Sequence, residues 1–199
     1  QLSIFFKYYI RSILKNGEYH IDGEKKLTER NATIVYSGGD DVFIVGAWNE
    51  VIELSIDLQE KFKKYTQGTL SISSGIGIYE CTYPIGAIAN ETGEMEAESK
   101  RMPEKDSVTF MDDGETHLIN ELEICDGTYR WEELYKSVLG EKYDVIQDFL
   151  GESDERGMSF LYRMLELIRN QKEKINFARF VYLLSRLEPD KEGEKKEKY

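Results

Sequence analysis

Two apolar, β-prone runs stand close together early in the chain, and only Ser37-Gly38-Gly39-Asp40-Asp41 separates them. The first run is Thr33-Ile34-Val35-Tyr36; the second is Val42-Phe43-Ile44-Val45-Gly46-Ala47-Trp48. β-Branched and aromatic runs joined by a Gly/Asp tip read as a β-hairpin. The second run is apolar at nearly every position, which predicts a central strand covered on both faces. The tip then carries two adjacent carboxylates at the end of buried strands. Glycines there permit positive φ and leave no side chain in the way of a ligand. Neighbouring carboxylates repel each other unless water or a cation relieves them, and their hard oxygens suit Mg²⁺ or Mn²⁺ bridging the phosphates of a nucleotide. A plain type I′ turn, built from residues that favour turns anyway, is the alternative.

The elements around the hairpin follow from periodicity. Leu2, Phe5, Phe6, Tyr9 and Ile13 form one helical stripe that Asn16-Gly17 stops, and a polar loop runs on to Asn31. With Asn49 as its N-cap, a second helix is predicted to about Tyr65, followed by a strand from Leu70 to Tyr79. Pro84 opens a third helix, with Ile85, Ile88, Ala89, Thr92 and Met95 on one side and an end near Lys100. A short strand, Ser107 to Met111, leads to the acidic turn Asp112-Asp113-Gly114. From about Glu123 only helices are expected, with apolar stripes near residues 131–138, 143–150, 161–168 and 177–187, Gly140 as an interruption and Pro189 as the stop. The chain is thus read as an α/β part over residues 1–123, a helical part over 124–189 and a charged, disordered tail over 190–199.

Composition narrows the function. Thirty-eight acidic against 26 basic residues give a formal charge of −12, which disfavours non-specific coating of nucleic acid. With apolar residues at 40% and aromatics at 12%, wholesale disorder is excluded. No run approaches the length needed to cross a bilayer, so no membrane role is expected, and two isolated cysteines suit a reducing, cytoplasmic location. Cys81 and Cys125 fit no metal-binding spacing and read as free thiols. Gln1 is not a start methionine and opens directly on an apolar-periodic segment, so the chain reads as part of a larger protein.

The run from Ile34 to Gly46 resembles the active-site hairpin of the polymerase/cyclase palm superfamily. Its Asp-Asp ending, together with Ser74-Gly75-Ile76-Gly77, Tyr83-Pro84-Ile85, Asp106-Ser107-Val108-Thr109-Phe110 and Ile175-Asn176-Phe177-Ala178-Arg179, resembles one branch: the large palm-domain subunit of type III CRISPR effector complexes. The fold this resemblance implies is α+β, a ferredoxin-like palm followed by a small all-α domain. The family's first strand, which carries a further metal-binding aspartate, would lie before Gln1, as would a companion palm and any nuclease domain.

The function it implies is the joining of ATP-derived AMP units, 3′ to 5′, into cyclic oligoadenylates for antiviral defence, switched on by target RNA. Asp40 and Asp41 would hold Mg²⁺ or Mn²⁺; Ser37, Gly38 and Gly39 would contact the nucleotide; Lys100 and Lys105 would face the triphosphate. The implied partners are other subunits of the complex, the small subunit through the C-terminal helices, and guide and target RNA indirectly. A GTP-using dinucleotide cyclase and a non-catalytic assembly module are the rival readings, and the fragment alone is expected to bind ATP poorly.

Overall fold

The computed structural model describes residues 2–23, 26–111, 114, 116–119, 122–151, 158–170 and 173–185. The Asp112-Asp113 turn, the Pro189 stop and the tail over 190–199 lie outside these residues. The chain divides into two units, residues 1–140 and 141–199.

The first unit opens with α1. It begins at Leu2–Ile4, widens to a π-helix over Phe5–Tyr9 and continues as α-helix over Ile10–Lys15. The wider turn carries more residues per revolution and so shifts the buried face. Phe5, Phe6, Ile10 and Ile13 are buried, while Tyr9, expected on that stripe, is half-exposed. Strands β1 (Ala32–Gly38) and β2 (Asp41–Gly46) form the expected hairpin, with a bulge between Ile34 and Tyr36. Helix α2 spans Trp48–Tyr65 with Ala47 as its N-cap, so Trp48 belongs to the helix and not to the strand, and Asn49 is not the cap. Leu54, Leu58 and Phe62 of α2 meet Phe5 and Phe6 in an aromatic-rich core that Ile34, Val42 and Ile44 cover from the hairpin.

Strand β3 is only Ser74–Ile76, shorter than the Leu70–Tyr79 run, and it pairs in parallel with β4 (Ser107–Phe110). Helix α3 (Ile85–Ser99), with Pro84 as N-cap and Lys100 as C-cap, lies directly on β3. Gly75 makes that contact possible. A Cβ there would run into the Thr92 carbonyl and stand 2.7 Å from the Glu96 nitrogen and the Met95 Cβ. Gly75→Val is therefore expected to push α3 off the sheet at a cost of about 1–3 kcal/mol, read as a lower unfolding midpoint at unchanged m-value.

The region after Phe110 is not purely helical. Strands β5 (Thr116–Ile119) and β6 (Leu122–Cys125) make a second hairpin, and β7 (Thr128–Arg130) pairs antiparallel with β4. Thr109 and Thr128, opposite each other and buried, share a 2.9 Å hydrogen bond. Helix α4 starts at Trp131–Glu133 and runs as a π-helix over Leu134–Lys142, so Gly140 does not break it. The Trp131 indole N–H donates to the Ile72 carbonyl at 2.8 Å and closes a second core with Ile52, Ile76, Val108 and Leu134.

The second unit contains α5 (Tyr143–Gly151), α6 (Met158–Arg169) and α7 (Lys174–Ser185). Phe149 and Phe160 pack 5.6 Å apart within it. Among the described residues no helix is long and apolar enough to cross a membrane.

Candidate functional site

The sheet of the first unit is split, and the split defines the site. Among the described residues β2 pairs only with β1, and β3 pairs only with β4. Among the described residues the segment Val42–Trp48, expected to be a central strand covered on both faces, thus has a neighbour strand on one side only, and Val42 to Val45 are half-buried. Between β2 and β3 lies a cleft of about 900 Å³, lined by Asp41 to Trp48 on one side and Ile72 to Tyr79 on the other, with α2 and α3 bordering it.

Asp40 and Asp41 stand at one end of this cleft, both exposed. The hairpin register places Gly38 opposite Asp41, so Gly39 and Asp40 are the two turn residues. Gly39 has φ +64°, and Asp40 is not among the residues with positive φ. That sign pattern is type II′, with glycine at the first central position, in place of a type I′ turn. Gly38 is needed for another reason. A Cβ there would stand 2.6 Å from the Tyr36 hydroxyl, because the Tyr36 ring folds back over it.

The other residues singled out from sequence fall in different places. Ser37 donates its hydroxyl to the Phe6 carbonyl at 2.7 Å and does not line the cleft. Lys100, at the C-terminal cap of α3, lies in the field of Asp41 and Asp40. Its hydrogen bond to Glu96 is the main reason its pKa stands above the ordinary lysine value; the two aspartates add to that against partial burial. Lys105 sits in the 3₁₀ turn Pro103–Lys105, which carries positive φ at Glu104 (+74°) and Lys105 (+54°). That turn is tied down by Ser71 and Ser73, which donate to the Glu104 and Lys105 carbonyls at 3.0 and 2.6 Å.

The far end of the cleft is aromatic. Helix α3 separates it from Lys100 by about 22 Å, at 1.5 Å per residue. Tyr79 and Tyr83 stack there with centroids 5.2 Å apart, and Trp48 also lines the cleft. Burial, then the neighbouring Glu91 carboxylate, pushes Tyr79 up to about 12. Cys81 is an exposed thiol at this end, and Cys125 is buried elsewhere, its sulfur accepting the Gly127 N–H at 3.4 Å.

No cluster of three or more His, Cys, Asp or Glu close enough to hold a metal ion occurs among the described residues. Asp40 and Asp41 nevertheless suit Mg²⁺ or Mn²⁺. Mg²⁺ is commonly held by one or two carboxylates, with waters and substrate phosphates completing its shell.

An α+β palm with an acidic pair at the tip of its hairpin defines the class as polymerase/cyclase-like. Comparison with known proteins makes this specific. A family model, the second palm domain of Cas10/Cmr2, matches residues 1–109. Another, the second helical domain of the Cmr2 subunit of the CRISPR RNA silencing complex, matches residues 147–199. The chain belongs to the Cas10/Cmr2 family.

It is 41% identical over 187 residues to the CRISPR system single-strand-specific deoxyribonuclease Cas10/Csm1 (subtype III-A) of Mycobacterium tuberculosis. That match covers 94% of this chain and 22% of the relative, so the chain spans about a fifth of the relative's length. The crystal structure of Csm1 in T. onnurineus is similar at a TM-score of 0.64 and 25% identity, over 93% of this chain and 27% of that one. A Csm1–Csm4 cassette in complex with AMPPNP is similar at a TM-score of 0.62 and 25% identity, over 90% of this chain and 26% of that one.

Proposed function

We propose that this chain is the second palm of a type III CRISPR effector subunit and that it joins ATP-derived AMP units into cyclic oligoadenylates. The observation that carries the reading is the exposed Asp40–Asp41 pair at the mouth of a large cleft, with the Lys100 ammonium in its field. A relative of the same fold that takes AMPPNP supports an adenine nucleotide as substrate.

A divalent ion held by Asp40 and Asp41 would neutralise phosphate charge and lower the pKa of the attacking hydroxyl. The chain's own part is to place these groups. The type II′ turn presents both carboxylates, and α3, seated on Gly75, fixes the end of the helix from which Lys100 reaches the triphosphate. Attack of a ribose 3′-hydroxyl on the α-phosphate then expels pyrophosphate, with positioning and charge neutralisation supplying most of the rate. Gly39 leaves the tip free of a side chain on the nucleotide's side; Gly38 and Ser37 hold the turn behind it, and Lys105 stands in reserve for a distal phosphate.

The edges of β2 and β3 that face the cleft pair with no strand among the described residues, and they have the form of a strand's seat. We place there one further strand of the kind the resemblance gives this palm, with its metal-binding aspartate. The single-strand DNA cleavage named for the M. tuberculosis relative belongs, in this reading, to the part of that protein outside the matched fifth. The partners are the other subunits of the complex, a Csm4-like subunit among them, as in the Csm1–Csm4 cassette.

Nucleotide choice separates this reading from its cyclase rival. The intact subunit in its complex, with target RNA and Mn²⁺, is expected to consume labelled ATP and release 3′–5′-linked cyclic adenylates while leaving GTP alone. Consumption of GTP into a cyclic dinucleotide would replace this reading with the rival.

A further inference from the structure

Two acidic residues near the C-terminal end of α3 have contrasting surroundings. Glu98 is absorbed in the fold: its carboxylate accepts the Cys125 backbone N–H at 3.1 Å and pairs with Arg101 at 2.7 Å. Glu96 lines the cleft that Asp40 and Asp41 also line, and its carboxylate stands 2.5 Å from the Lys100 ammonium.

The backbone beneath Glu96 is held in place. Its nitrogen lies against Gly75, and its carbonyl accepts the hydroxyl of the buried Ser99 at 2.7 Å. Ser99 is pinned in turn, since its own carbonyl accepts the Ser107 hydroxyl at 2.6 Å. Lys100 by contrast is half-exposed on a flexible four-carbon stem, which has much rotamer freedom to lose when it grips a ligand. Its place at the helix C-terminus already favours a cation, so Glu96 is not needed to keep it charged. What Glu96 adds is location. An ammonium has three donors, and spending one on Glu96 leaves two for phosphate oxygens.

We infer that Glu96 is a positioning residue, which holds the Lys100 ammonium beside the Asp40–Asp41 pair so that it meets the triphosphate preorganised. This rests on the nucleotidyl-transfer reading above and deepens it.

The test is a double-mutant cycle in the intact subunit within its complex, with ATP and Mn²⁺. Glu96→Gln is expected to raise the KM for ATP about two- to fivefold, the size of one ion-pair coupling, with kcat changed by less than about twofold. In a Lys100→Met background the same substitution is expected to do nothing more, because the group it positions is gone. A Glu96→Gln variant with unchanged or tighter KM overturns the inference, as does an effect that persists in full beside Lys100→Met. An unmutated complex that neither binds ATP with metal nor forms product overturns the nucleotidyl-transfer reading itself. Turnover by the unmutated complex with a flat cycle overturns only the role of Glu96.

Discussion

Arg30→Met is expected to destabilise the first unit by about 3–5 kcal/mol, the cost of leaving buried carboxylates without their cation. Arg30 is 4% exposed, and its guanidinium is enclosed by acids from one face of α2. It contacts Glu53, Asp57 at 2.8 Å and Glu50 at 3.4 Å, and donates to the Tyr19 carbonyl. Burial opposes its charge, but Asp57, Glu53 and Glu50 outweigh that, so its pKa stands above the ordinary arginine value. The same carboxylates hold the loop after α1. Asp57 accepts the N–H groups of Glu18 and Tyr19, and Glu53 accepts that of Ile21 at 3.0 Å. His20 stands 3.4 Å from Glu53 and contacts the Lys26 carbonyl at 2.8 Å.

Arg30 thus clamps the loop onto α2. Hydrogen exchange at Glu18, Tyr19 and Ile21 should quicken in Arg30→Met well before the β1–β2 hairpin loosens. Neutralising the acids as well, in Arg30→Met/Glu53→Gln/Asp57→Asn, should recover part of the loss, since the unpaired charge is what costs most. Unchanged exchange in the single variant would show that packing alone holds the loop.

The second large effect falls on binding. Asp40→Asn/Asp41→Asn is expected to weaken metal-dependent ATP binding by the intact subunit about 100-fold or more, with little change in thermal stability. Both positions are exposed, Asp40 in the turn and Asp41 at the first position of β2, so no buried contact is lost. What disappears is the negative charge that would draw a divalent ion, and with it the bridge to the phosphates. Isothermal titration with ATP and Mn²⁺ reads the first expectation, and thermal unfolding the second. A variant that binds ATP·Mn²⁺ as well as the unmutated protein would place the metal elsewhere.

The hairpin was legible because β-branched runs and a Gly/Asp tip leave few alternatives, and α3 because Pro84 and Lys100 bracket it. The structure departs from the sequence pattern where a local signal is weak or where its cause is tertiary. The π-turn over Phe5–Tyr9 moves Ile10 inward and Tyr9 outward, which a fixed helical period does not anticipate. Strands β5 and β6 are four residues each, and Leu118 is 76% exposed, so no buried alternation announces them.

Val42–Val45 have the apolar pattern of a central strand, yet within this chain their second flank borders the cleft. The Arg30 clamp was hidden because charges on a helix normally read as a solvated face. Its one signal was the spacing of Glu50, Glu53 and Asp57, which gathers three carboxylates on one side of α2. Glu96 likewise had only its i,i+4 distance from Lys100 to mark it.

The most direct test of the central claim is product formation. The intact subunit in its assembled complex, given target RNA, labelled ATP and Mn²⁺, is compared with the Asp40→Ala/Asp41→Ala variant. Cyclic adenylates from the unmutated complex and none from the variant, with both complexes fully assembled, is the result expected. Equal product from both, or none from either, would contradict the assignment of adenylyl transfer to this hairpin.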